Sequence, residues 1–264
     1  MIRGNMAASP RWKNQLENYE SLLKKLNEKR NKGETELRFS RSIIIASDIA
    51  EQYFCEKKVE MQYIHGKVVM EAKTAGYEAH EKLLETAVEV KKEELWERIY
   101  GKEPVFALEW FLLARFKDVL IAGKPDAVLF QDARPLTVFE YKFSKSGIAY
   151  PGHHVQARVY GVLLENMGFD TNNLFYSIVV ADPKQRGDRN LQQKVMEAID
   201  ENGLEETTLS IENANIYCHK FNREIAEKNL SWAIDYWKKI RDALPTDNPN
   251  KCLKCEYQTK CKKS

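Results

Sequence analysis

A single α/β domain built on a mixed sheet is the fold class this sequence predicts, and three observations predict it. The elements run as helices, then a meander of strands, then helix–strand–helix–strand–helix, which departs from the regular alternation of a doubly wound sheet. One strand, Leu174 to Ala181, is apolar almost throughout, as expected for a strand buried on both faces. The 264 residues are 43% apolar and 11% aromatic, enough for one sizeable core, without internal repeats or low-complexity segments.

Taken in order, residues 1–39 form a charged N-terminal helical arm, with Leu16, Tyr19, Leu22, Leu23 and Leu26 at helical spacing. Ser40 to Ala46 is a short apolar run, and Ser47-Asp48 starts a helix that continues through IAEQYFCEKKVEMQY. Ala75 to Tyr100 reads as one long amphipathic helix with Leu83, Leu84, Val88, Leu95 and Ile99 on its apolar face. Val105 to Phe116 reads as an aromatic-rich strand, followed by a strand at Val119 to Ala122. Asp126–Phe130 and Leu136–Lys142 then form a hairpin. Its turn is Gln131 to Pro135, since proline is expected to stay outside the ladder. His153 to Met167 is a helix stopped by Gly168. Beyond the apolar strand come a helix at Leu191 to Asp200, a strand at Ile216 to Lys220, and a helix from Arg223 to Leu244. Pro245 to Pro249 leads into a cysteine-rich tail.

Composition restricts the function. With 41 Lys+Arg against 39 Asp+Glu the net charge is +2, so any nucleic-acid contact must use local rather than global charge. No stretch is apolar and long enough to span a bilayer, and the first residues lack an apolar signal core. The expectation is a cytoplasmic protein that uses no membrane. Its five cysteines are then not read as a disulfide framework.

Two constellations carry chemistry. In the hairpin, Asp126 opens one apolar strand, and Glu140 and Lys142 sit two apart on the next, so they share a sheet face. Charges on strands this apolar need partners, either each other in a structural salt bridge or a hard divalent cation such as Mg²⁺. Gln156 and Tyr160, four apart on the helix that follows, share one of its faces. His80 is either a hydrogen-bonded structural histidine or a neutral imidazole completing a Mg²⁺ or Mn²⁺ sphere. In the tail, Cys252-x2-Cys255-x5-Cys261 supplies three thiolates where Zn²⁺ and iron–sulfur clusters prefer four. Cys55, in a polar-flanked helical stretch, is the better fourth ligand, because Cys218 lies in an apolar strand as a small hydrophobe would. Lys251, Lys254, Lys260, Lys262 and Lys263 in the tail, with Lys57, Lys58 and Lys67 after Cys55, would surround that centre with positive charge suited to phosphate contacts.

The pieces stand in a fixed order: Cys55; Gly76-x3-His80; Gly123-x2-Asp126; Glu140-Tyr141-Lys142; Gln156-x3-Tyr160; Cys252-x2-Cys255-x5-Cys261. Over residues 47–261 that order resembles the RecB-like branch of the PD-(D/E)XK nucleases that carry an iron–sulfur cluster, and most of all the CRISPR-associated RecB-like exonucleases. The resemblance implies a restriction-endonuclease-like core over 40–264, a mixed central sheet flanked by helices, with a four-cysteine clasp joining the N-terminal helical region to the tail. It implies that His80, Asp126, Glu140 and the backbone carbonyl of Tyr141 bind Mg²⁺ or Mn²⁺. Lys142 would orient the attacking water, and Gln156 and Tyr160 would position DNA. Cys55, Cys252, Cys255 and Cys261 would hold a [4Fe–4S] cluster. The implied activity is a metal-dependent exonuclease on single-stranded DNA ends or overhangs, processing fragments for CRISPR spacer acquisition. Its partners would be DNA and the CRISPR integrase complex, with self-association into a homo-oligomer also open. The sequence departs from the family in having Glu56-Lys57 after Cys55 where Pro-Arg is common, and in being longer than compact members. Rival readings are a repair, recombination or viral nuclease of the same chemistry, a non-catalytic DNA-binding module, and a structural protein with a zinc-ribbon tail. Intact Asp126, Glu140 and Lys142 speak against the non-catalytic module.

Overall fold

The computed structural model describes residues 11–33, 35–66 and 92–261. His80, Lys67, Lys262, Lys263 and most of the helix expected over Ala75–Tyr100 lie outside them. The end of that helix is α4, Lys92–Ile99.

The sheet is mixed, as expected. Six strands run in the order β2-β5-β6-β7-β9-β8: β2 (Val105–Leu108), β5 (Ala127–Gln131), β6 (Arg134–Phe143), β7 (Phe175–Ala181), β9 (Ala214–Lys220) and β8 (Thr207–Ile211). Among the described strands of this sheet, only the β6–β7 pair is parallel. A second sheet of three strands orders β1 (Ile44–Ile45), β4 (Val119–Gly123) and β3 (Leu112–Phe116). Helix α5 (Pro151–Asn166) lies against both sheets and carries the main core, with Val155, Val159, Leu163 and Leu164 buried beside Val138, Tyr176 and Ile178. The opposite face of the large sheet is covered by α6 (Arg189–Asn202), whose Leu191, Val195 and Ile199 meet Leu129, Phe139 and Val179. Alternation along β5 and β6 thus sends Val128 and Val138 to one helical layer and Leu129 and Phe139 to the other.

Several boundaries differ from the sequence reading. The aromatic strand is two strands, because the chain turns at Glu109, where φ is 44°. Pro135 lies inside β6, paired with Phe130 across a register shift. It is tolerated because β7 reaches only Thr137, so no ladder partner on that side asks for the missing N–H. The helix begun at Ser47 is two: α2 (Ala46–Gln52) and α3 (Glu56–His65), with Cys55 in extended conformation at the junction. The last long helix, α7 (Arg223–Trp237), stops before a turn in which Lys239 has φ 63°. β8 has no apolar run to announce it, since Thr207 to Ile211 alternates half-buried and exposed positions. In the N-terminal segment, α1 (Arg11–Lys32) buries Leu16, Tyr19 and Leu26 in the main core, and Tyr19 Oη donates to Phe111 O at 2.8 Å.

The segment after α7 returns to the α2–α3 junction. Glu56, 1% exposed, accepts from Arg241 at 2.5 and 2.7 Å, from Leu244 N at 2.9 Å and from Gln52 Nε2 at 2.8 Å. A buried carboxylate with both oxygens occupied is a strong clamp, since leaving such a charge unpaired is costly.

Candidate metal and nuclease site

The hairpin places its charges where the alternation requires. Asp126 stands just before β5, and β5 pairs with β6 only as far as Ala127↔Phe139. Tyr141 therefore has no β5 partner, and its N–H donates instead to Asp126 Oδ2 at 2.6 Å. In an extended strand a residue's N–H and C=O face the same neighbour, so the Tyr141 carbonyl also faces the Asp126 side. Glu140 and Lys142 project from the α5 face of β6, and Lys142 Nζ donates to Glu140 Oε1 at 2.7 Å. From there a directed chain runs along α5. Lys142 Nζ donates to Gln156 Oε1 at 3.0 Å, Gln156 Nε2 to Tyr160 Oη at 2.7 Å, and Tyr160 Oη to the Lys124 carbonyl at 3.3 Å. The ammonium at one end and the phenol at the other fix which way the Gln156 amide faces. Asp126, Glu140, Lys142, Gln156 and Tyr160 are thus brought together as one network.

The electrostatics show what this network lacks. Glu140 is 5% exposed, yet among the described residues its Oε2 has no hydrogen-bond partner. Burial, then the Glu140 charge, pushes the Asp126 carboxyl up to about 7, against smaller opposing effects of the Tyr141 amide and Lys142. Burial works against the Lys142 ammonium, but Glu140, Asp126 and Glu51 outweigh it and hold the lysine above its ordinary value. Burial and Glu140 likewise keep the Tyr160 phenol protonated. Buried Glu140 holds the lysine, half-buried Asp126 stands close by, and among the described residues one Glu140 oxygen is left open. A hard divalent cation suits that donor set. Among the described residues, no group of three or more His, Cys, Asp or Glu side chains converges to hold a metal ion. The hairpin itself contributes two such carboxylates, and His80 lies outside the described residues.

Sequence reasoning missed three participants. Gly123 was visible only as the start of Gly123-x2-Asp126. A Cβ there would stand 2.5 Å from Tyr160 Cε1, so glycine is required for space. Gly123→Ala is expected to cost about 1–3 kcal/mol in urea unfolding by displacing the Tyr160 ring, and to weaken any activity that relies on Gln156. An unchanged unfolding midpoint would show that the ring moves freely. Glu51, on α2, bears on Lys142 although far from it in sequence. His153 is close enough for Lys142 to help burial pull its imidazole down to about 4, burial being the larger cause. Neither follows a spacing rule.

The cysteines fall into two environments. Cys218 is fully buried in β9, beside Ser177 Oγ at 3.4 Å, as a core residue. The tail helix α8 (Pro249–Leu253) returns to the Cys55 turn, where Lys251 Nζ donates to the Phe54 carbonyl at 3.1 Å. Buried Tyr257 donates to Gly66 O at 2.7 Å. Burial first, then Cys55, Cys255 and Cys252 as neighbours, raises the Cys261 thiol above its ordinary value. All five cysteines are free thiols. The expected lysine collar is partly consumed by the fold. Lys58 is buried between Glu51 at 3.1 Å and Glu256 at 3.5 Å, and Lys57 pairs with Glu60 at 3.0 Å. Lys254 and Lys260 stay exposed.

The fold is a helix-flanked mixed sheet, with Asp126 just before β5 and Glu140 and Lys142 on the adjacent β6. The family comparison is direct: the model of the PD-(D/E)XK nuclease superfamily matches residues 21–262, and the chain belongs to that superfamily. Metal-dependent nuclease chemistry is the activity that membership suggests. No curated protein matches the chain. A solved structure titled "Crystal structure of SSO0001" is similar at 14% identity and a TM-score of 0.41, covering 92% of this chain and 95% of its own. That likeness adds nothing to the family assignment. No helix among the described residues is long and apolar enough to cross a membrane.

Proposed function

We propose that the protein is a Mg²⁺- or Mn²⁺-dependent deoxyribonuclease acting on single-stranded DNA ends or overhangs, with Asp126, Glu140 and Lys142 as its catalytic residues. The observation that carries the reading is the buried Glu140 Oε2, unpartnered among the described residues, next to a carboxyl already pushed up to about 7. A folded protein rarely leaves such a group open without use. Asp126, Glu140, the Tyr141 carbonyl and His80 are the proposed holders of the cation. Bound there, the cation would supply Lewis acidity at the phosphate and a lowered pKa for water. Lys142 keeps its ammonium charged beside Glu140, so it can orient a water through one N–H and offset charge building on the phosphate oxygens. Gln156, held at both ends, fixes Lys142 from behind, and Tyr160 fixes Gln156. Hydrolysis breaks one P–O bond and forms another to the water oxygen, with the water's proton leaving to solvent or to the departing oxygen.

The second part of the proposal is a [4Fe–4S] cluster on Cys55, Cys252, Cys255 and Cys261. It is supported by the return of the tail to the Cys55 turn and by the mutual influence of the four thiols. Four irons space their ligands more widely than one ion does, so the cluster does not need the thiols to converge on a point. A role in trimming fragments for CRISPR spacer acquisition, beside the integrase complex, rests on the order of the motifs. The 1–39 arm is proposed to pack as part of the nuclease unit, since α1 buries Leu16, Tyr19 and Leu26 in the main core.

The test is cleavage of an end-labelled single strand with Mn²⁺, run beside Glu140→Ala. Cleavage by the wild type and none by the variant is expected. Equal cleavage by both would remove the site assignment, and no cleavage by either would remove the enzymatic reading.

A further inference from the structure

The loop joining Lys142 to helix α5 presents an aromatic ring to solvent on backbone held by several hydrogen bonds. Tyr150, the residue that starts α5, is 49% exposed, and Ile148 beside it is 52% exposed. Long loops usually carry such side chains on mobile backbone, but this one is fastened along its length. Ser144 N donates to Ala181 O at 2.9 Å, and Gly147 O accepts from Tyr217 Oη at 2.7 Å and Asn215 Nδ2 at 3.1 Å. Ile148 N donates to Ser146 Oγ at 3.3 Å. Gly147 itself has φ 62°, and a Cβ there would stand 3.0 Å from Asn215 Nδ2, so the turn requires glycine.

The ring is braced as well. His153 N donates to Tyr150 O at 2.9 Å, and Tyr150 N donates to His153 Nδ1 at 3.2 Å. The two rings meet edge to face, with centroids 5.6 Å apart and planes at 80°. The phenol is thus held from one side by His153 while about half of its surface stays in water. A buried ring would serve packing and a ring on a loose loop would need no explanation; a braced, exposed ring is pre-organised for a flat ligand.

Its position says which ligand. Tyr150 lies six residues before Gln156, about 9 Å along the helix axis, and Gln156 touches Lys142. That distance is about three steps of a nucleic-acid strand at 3.4 Å each. Exposed Lys145 on the same loop adds positive charge for the strand's phosphates.

We infer that Tyr150, braced by His153, is a base-stacking platform for a nucleotide flanking the cleaved phosphate, and so a determinant of binding to unpaired strands. The inference rests on the nuclease reading above. Stacking on an aromatic ring tolerates any base but requires it to be unpaired, because a base inside a duplex has both faces covered. Tyr150 is a positioning residue here, since the reacting atoms belong to the hairpin.

The experiment uses the full chain and a single-stranded oligonucleotide carrying the fluorescent base 2-aminopurine, moved one position at a time from the labelled end. Binding should quench the fluorophore at one position a few nucleotides from the cleaved bond. Tyr150→Leu, which keeps an apolar side chain but removes the π face, should abolish that quench and raise KM about tenfold with kcat nearly unchanged. Tyr150→Trp should restore both. An unaltered melting temperature for both variants confines the effect to binding. Quenching and KM unchanged in Tyr150→Leu, with the wild type active, would overturn the platform alone. A wild type that neither binds nor cleaves the oligonucleotide would overturn the nuclease reading and the platform with it.

Discussion

Asp126→Asn is expected to abolish cleavage, by on the order of a thousandfold or more, while leaving the protein as stable as the wild type or more so above neutral pH. Asparagine keeps the size of the side chain and can still accept from Tyr141 N–H, which now holds Asp126 at 2.6 Å. What it removes is a negative charge that the metal-free fold holds at a cost. The sign follows from the direction of the shift. Burial and Glu140 raise the Asp126 carboxyl from 3.8 in a free chain to about 7. The folded state therefore binds this proton more tightly than the unfolded chain does. The resulting stabilisation is complete below about pH 4 and disappears as pH rises through about 7. The size is on the order of a few kcal/mol. His153 and His154 act oppositely, since both imidazoles are pulled down to about 4, chiefly by burial. Their contribution is present above the ordinary histidine value and lost as pH falls. The total profile thus mixes opposing slopes, and the difference between wild type and Asp126→Asn isolates the carboxyl. In chelator, the wild type should lose stability relative to the variant between about pH 4 and 7.

Adding Mg²⁺ or Mn²⁺ at pH 8 should raise the wild-type melting temperature, with about 2.7 kcal/mol gained at a hundred times Kd, and should do little for the variant. Parallel pH profiles and equal metal responses for the two proteins would show that Asp126 holds neither the proton nor the cation. The measurement is independent of activity, so a substrate wrongly chosen for the cleavage assay does not blur it.

The parts of this site legible in the sequence were those that a short-range rule fixes. Two-residue alternation put Glu140 and Lys142 on one face, and the four-residue helical repeat put Gln156 and Tyr160 on one face. The mixed sheet was legible from the order of elements and the all-apolar β7. Other features were not legible because their causes are distant in sequence. Pro135 sits in a strand only because the neighbouring strand stops at Thr137. Gly123 is needed only because Tyr160, from a different element, lies against it. Lys58 looked like surface charge until Glu51 and Glu256 closed around it. Leu16, Tyr19 and Leu26 were visible as a stripe, but what the stripe packs against could not be read from α1 itself. Local periodicity identifies a face, whereas only the assembled chain identifies what the face meets.

Cys55→Ala and Cys261→Ala are each expected to remove both colour and iron from the anaerobically purified protein and to free the tail, whereas Cys218→Ala should change neither. The turn after α2 and the tail are separated by roughly 200 residues, and closing a loop of that length costs on the order of 5 kcal/mol of chain entropy. Protein contacts alone hold the closure at a few points, among them Lys251 on the Phe54 carbonyl, Tyr257 on Gly66 O, and Glu56 with Leu244 N. A cluster bonded to both segments would make the closure nearly permanent, and losing one ligand would return the burden to those hydrogen bonds. The variants should therefore melt at lower temperature, and limited proteolysis should cut between Leu244 and Cys261 where it spares the wild type. The thiols themselves point the same way. Without a metal, Cys261 is held above the ordinary cysteine value by burial and by Cys55, Cys255 and Cys252, so in the apo-protein it should react slowly with alkylating reagents. Cys218, buried beside Ser177, should be protected in apo and loaded protein alike. A colourless protein carrying one zinc would replace the cluster with a mononuclear site on the same residues. Iron retained by Cys55→Ala but lost from Cys218→Ala would move the fourth ligand from the α2–α3 junction into the sheet, and the clasp between the two ends of the chain would fall with it.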